Sequence, residues 1–117
     1  MTLRSRIIVG MPVETPNRAA VLVDIAALTA AQSPALDEVE RTLADGYACA
    51  LAIEAERLGL QRRLEDTARQ LGTRPPAARI AEVSGLANGV ARADGELTEL
   101  RTALARLAGV ARRLRHA

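Results

Sequence analysis

From Val83 to Leu114 an apolar residue recurs at alternating steps of four and three without a miss. Written as heptads, the a positions are Val83, Val90, Leu97, Leu104 and Ala111, and the d positions are Leu86, Ala93, Leu100, Leu107 and Leu114. A strand turns its side chains over every second residue, so this longer period belongs to a helix that packs along its whole length. Gly85, Gly89, Gly95 and Gly109 fall outside the seam. Each costs roughly 1 kcal/mol relative to alanine in a helix. Packing must therefore hold this segment together, and a bend or fraying is expected around residues 84–89.

A second seam precedes it. Leu36, Leu43, Ala50, Arg57, Leu64 and Leu71 occupy a, and Val39, Gly46, Ile53, Leu60 and Thr67 occupy d. Ser33-Pro34 is a start signal, with Asp37 and Glu38 near the first turn, where the helix dipole favours acids. Gly72 is the stop signal. Thr73-Arg74-Pro75-Pro76 makes a stiff connection, because a residue before proline avoids helical geometry. The two helices, expected over residues 34–71 and 76–115, are joined by about four residues and must run antiparallel. At ~1.5 Å per residue each arm is roughly 55 to 60 Å long. A turn centred near residue 73 or 74 sets Leu64 against Val83, Ala50 against Leu97, Leu43 against Leu104 and Leu36 against Ala111.

Charge follows the hairpin. Residues 34–71 carry eight acids and five arginines, net −3, and residues 76–117 carry seven arginines and four acids, net +3. Asp37, Glu38, Glu40 and Asp45 are expected opposite the stretch that holds Arg101, Arg106, Arg112 and Arg113. The arginines of the basic end, Arg112, Arg113 and Arg115 among them, also crowd a helix C-terminus, where the dipole favours cations. Internal pairing is thus a sufficient reason for this end, and a polyanion contact is the alternative.

Ahead of the hairpin, Thr15-Pro16 reads as a helix start, and a helix over residues 16–32 places Val21, Leu22, Ile25 and Leu28 on one face. The same stretch alternates as Val21, Val23 and Ile25, which fits a strand; the interspersed alanines favour helix. Residues 1–15, with Arg6-Ile7-Ile8-Val9-Gly10, form an N-terminal arm that fits a short strand or an apolar extension. The chain is thus an arm followed by one helical domain over residues 16–117. It is all-α: an antiparallel hairpin of two long helices with a shorter N-terminal helix, closed as a three-helix bundle or as a dimeric four-helix bundle. With 24 alanines among 117 residues, and Tyr47 as the single aromatic, the composition suits helix seams better than sandwiches.

The first long helix is apolar over a wider sector than one partner needs, because Ala44, Tyr47, Leu51 and Leu58 flank its seam. The N-terminal helix is one possible cover, but about 16 residues span only ~24 Å. Apolar surface should remain for a second copy or another helical protein. Two charged residues interrupt this sector. Glu54 lies on the flank and Arg57 at an a position, and their i, i+3 spacing lets them pair. Either their stems cover apolar surface, or they form a polar layer that specifies register or partner.

Chemistry is sparse. The single histidine, His116, stands next to the last residue, and the single cysteine, Cys49, has no nearby histidine and no CxxC context. Gly85-Leu86-Ala87-Asn88-Gly89 lacks the preceding strand and the lysine of a phosphate loop. Glu54 and Glu56, or Glu65 and Asp66, point to different helix faces, and no Glu-x-x-His motif occurs. No enzyme activity, cofactor or metal is expected. No apolar run reaches the ~18 residues of a membrane span, and residues 1–14 lack the features of a signal peptide. A cytoplasmic protein is expected. All 16 cations are arginine, for which a GC-rich coding bias suffices, and the net charge is only +2. The function read from this pattern is non-enzymatic assembly or adaptor work through coiled-coil-like packing. The alternative is a nucleic-acid-associated regulator that uses Arg112, Arg113 and Arg115.

Overall fold

A computed structural model describes residues 17–117. The expectations for residues 1–15, and for Thr15-Pro16 as a helix start, lie outside the described residues. Three helices follow in order: α1 (Arg18–Ala30), α2 (Leu36–Arg69) and α3 (Ala77–Arg115). The described residues hold no strand, so the alternation at Val21, Val23 and Ile25 is incidental. α2 and α3 form the antiparallel hairpin, and α1 packs against both. The fold is the expected all-α hairpin with a third, shorter helix.

The helix ends differ from expectation by one or two residues. Asn17 caps α1, its side-chain oxygen accepting from the Ala20 N–H at 3.1 Å. Asparagine is among the best N-caps, so the helix begins at Arg18. α2 begins after Ala35, which makes no side-chain cap, rather than at Ser33-Pro34; Asp37 and Glu38 still stand in its first turn. Its helix stops at Arg69, and Gly72 reverses the chain at φ +73°, a left-handed conformation that favours glycine. α3 starts directly after Pro76 and runs unbroken through residues 84–89, where a bend or fraying was expected.

Every position of the two long seams is buried or half-buried. Leu86, Ala93, Leu97, Leu100, Leu104, Leu107 and Ala111 of α3 are buried, with Val83, Val90 and Leu114 half-buried. From α2 come Val39, Leu43, Gly46, Ala50, Ile53 and Thr67. Val21 and Ile25 of α1 complete the core, with Leu22 and Leu28 packed at its edge. This core lies almost entirely toward one end. A helix of 13 residues covers only ~20 Å, so α1 closes a three-helix bundle over half the hairpin. Beyond it α2 and α3 continue as a two-helix arm, where Leu60, Leu64, Val83 and Val90 are only half-buried. The radius of gyration, 19.1 Å, expresses this elongation; a compact domain of about 100 residues has ~13 Å.

The hairpin register is about three residues, nearly one turn, away from the expected one. Leu104 packs on Gly46 rather than facing Leu43, and Leu60 packs on Gly89. A Cβ on Gly46 would overlap the Leu104 side chain, and one on Gly89 would lie 3.2 Å from Leu60. A shift of three residues turns a-to-a layers into a-to-d layers and leaves nearly every layer apolar, those of Arg57 and Thr67 excepted. The heptad pattern is therefore nearly indifferent to it, and the fit of a leucine over a glycine decides.

Candidate interaction surface

α1 occupies the groove between α2 and α3 on the side of Cys49 and Ala103. Arg18 bonds Glu99 at 2.8 Å and approaches Glu96 at 3.9 Å. Leu22, Ile25 and Thr29 line a shallow groove with Thr102, Ala103 and Arg106. Cys49 is buried there, and burial pushes its thiol pKa up, against a smaller opposing pull from the Arg18 guanidinium. The suggested docking of this helix over Tyr47, Leu51 and Leu58 is therefore wrong. Cys49 and the α3 flank from Ala103 to Val110 offer a continuous apolar groove on the other side, and Arg18 finds two carboxylates there.

The consequence is an open apolar face. Tyr47 is 51% exposed, Leu51 66% and Leu58 47%, large apolar side chains on that side of the hairpin. They stand at steps of four and seven along α2, in one row. Between this row and α3 runs an open groove lined by Tyr47, Ala50, Leu51, Glu54, Arg101, Leu104 and Ala105. Along α3 on this side, beside Arg101, the exposed residues Ala91, Thr98 and Ala105 recur at one heptad position and are all small.

Glu54 and Arg57 are not paired with each other. Arg57 pairs with Asp94, and Glu54 pairs with Arg101, both across the hairpin. The i, i+3 expectation considered one helix alone; an arginine at an a position reaches over the seam, and α3 holds a carboxylate within its reach. Of the acids expected to face the basic stretch, Glu40 receives Arg115 at 3.0 Å. Asp37, Glu38 and Asp45, like Arg106, Arg112 and Arg113, make no ion pair among the described residues. The guanidinium groups of Arg112 and Arg113 fold back beside Gly109. Asp94 and Arg101, which complete the polar clamp, went unnoticed in the sequence as part of this face. Their signal was the e position they share on α3, matching that of Glu54 on α2.

These bridges are largely exposed: the side chains of Arg57 and Asp94 are 37% and 54% accessible. Such pairs are worth about 0 to 1 kcal/mol. Arg57→Leu places an apolar side chain at a seam position and strands only an exposed aspartate. It is expected to raise the thermal midpoint by a few degrees, corresponding to about 0.5–1 kcal/mol. Unfolding of this variant in a circular-dichroism melt would exclude a merely register-setting polar layer.

Among the described residues no three His, Cys, Asp or Glu side chains are grouped to hold a metal, and no helix is long and apolar enough to cross a membrane. No protein family, curated protein or solved structure matches this chain.

Proposed function

We propose that this protein is a non-enzymatic assembly or adaptor module that binds through the α2 face bearing Tyr47, Leu51 and Leu58. The observation that carries the reading is the exposure of these three side chains in one row, on a hairpin whose third helix lies on the opposite side. Large apolar side chains exposed to water are unfavourable, and a row of them on a rigid element marks a contact site. The polar clamps Glu54–Arg101 and Arg57–Asp94 cross the same face and suit a role in partner choice. A cytoplasmic place is consistent with the single buried thiol.

Tyr47→Asp combined with Leu58→Asp tests the reading. Both positions are half-exposed, so helicity and thermal midpoint should change little, while association with itself or with chains retained from cell extract is lost. Unchanged association would move the function away from this face. The polyanion alternative is weaker, because Arg115 is engaged by Glu40 and the chain lacks aromatic platforms for bases. A gel shift at ~50 mM salt, where phosphate contacts are strongest, should show no retardation of nucleic acid.

A further inference from the structure

We propose that the occupant of this face is a second copy of the chain, with the two hairpins parallel and α2 of each lying on α3 of the other. This rests on the interaction reading above and adds the partner and its geometry. Two hairpins can meet face to face about a two-fold axis in two ways. An axis across the helices lays α2 on α2 and α3 on α3. An axis along the helices lays α2 on α3 of the other copy, with both connecting turns at the same end.

Charge and shape both choose the second. The α2 segment is net −3 and the α3 segment net +3, so the first arrangement opposes like charges twice and the second opposes unlike charges twice. The knobs Tyr47, Leu51 and Leu58 all belong to α2, and the smooth strip of Ala91, Thr98 and Ala105 belongs to α3. An axis along the helices places each knob row on a smooth strip; an axis across them drives knobs against knobs.

Symmetry then sets the register. A closed two-fold parallel to the helices allows no sliding along them. Each residue meets those level with it in its own hairpin, and those levels follow from the Gly46–Leu104 and Leu60–Gly89 contacts. Leu58 therefore lies on Ala91 of the second copy, Leu51 on Thr98 and Ala44 on Ala105. The exposed Asp37 comes level with Arg112 of the second copy, giving partners to two charges that have none among the described residues. The area suffices. α2, 34 residues long, is ~51 Å, and two helix widths are ~20 Å. That makes a face of about 1,000 Å², above the ~800 Å² per partner of a stable interface.

Sedimentation gives the first measurement: the native chain should weigh twice its 12.4 kDa. Leu51→Arg, at a position 66% exposed, should keep the helical spectrum and weaken pairing at least ~100-fold, since the change occurs twice per interface. In a Cys49→Ala background, Leu58→Cys chains mixed with Ala91→Cys chains should form a mixed disulfide, and Leu58→Cys chains alone should not. A dimer that cross-links through Leu58→Cys alone overturns the parallel arrangement. A folded monomer at a concentration on the order of 100 μM overturns the pairing altogether. The broader interaction reading fails separately, if the Tyr47→Asp, Leu58→Asp protein retains the same chains from extract as the native one.

Discussion

Leu107→Ala is expected to lower stability by about 2–5 kcal/mol, the range for deleting a buried leucine side chain in a core that cannot close over the gap. Leu107 is 0% exposed and lies where α1, α2 and α3 are all present. Total stability of a domain this size is ~5–15 kcal/mol, so the variant should lose a large fraction of it. At ~4–8 °C per kcal/mol the midpoint should fall by roughly 10 °C or more. Leu64→Ala, in the two-helix arm, removes a side chain that is already half in water and should cost much less. Thermal melts of the two variants therefore test the uneven core directly. Equal losses would mean that the arm is as well packed as the bundle, contrary to the burial pattern.

Gly46→Leu should be the most damaging single change at a position with no side chain to lose. Removing a glycine from a helix ordinarily gains about 1 kcal/mol. Here the new side chain occupies the space of Leu104, which is 3% exposed and has little room to move. Overpacking of this kind costs roughly 1–3 kcal/mol or more. Leu104→Ala alone should cost about 2–5 kcal/mol through the cavity it leaves. Combined, the two changes exchange knob and hole across the seam, so the double variant should lose at least ~1 kcal/mol less than the two single losses together. Chemical denaturation of the four proteins measures this coupling. Strict additivity would show that the two residues do not meet, and the hairpin register would have to be another.

Both predictions concern the seam between α2 and α3, and it was only half legible in the residue pattern. The seam positions of α3 could be read directly, because ten consecutive apolar a and d residues admit no other folded use. The inward face of α1 was equally readable in Val21 and Ile25. The uncovered flank at Tyr47, Leu51 and Leu58 could be anticipated from its width. The polar partners could not. Arg57 and Glu54 are neighbours along α2, but their guanidinium and carboxylate find Asp94 and Arg101 because α3 is alongside. The helix ends follow local contacts: the Asn17 side chain caps α1, and α2 forms without a side-chain cap at Ala35.

Periodicity and the Pro75-Pro76 break determined, from the sequence by itself, that this chain is two long helices folded back on each other with a short third one. Those are local properties: a helix places every seventh residue on one face whatever its surroundings. The tertiary structure alone decided the register, the groove that α1 fills and hence the face left open. Heptad layers look alike after a slip of three residues, and both sides of the hairpin carry apolar flanks. The choice fell to contacts between residues far apart in sequence: Leu104 fitting over Gly46, and Arg18 reaching Glu96 and Glu99 beside the buried Cys49.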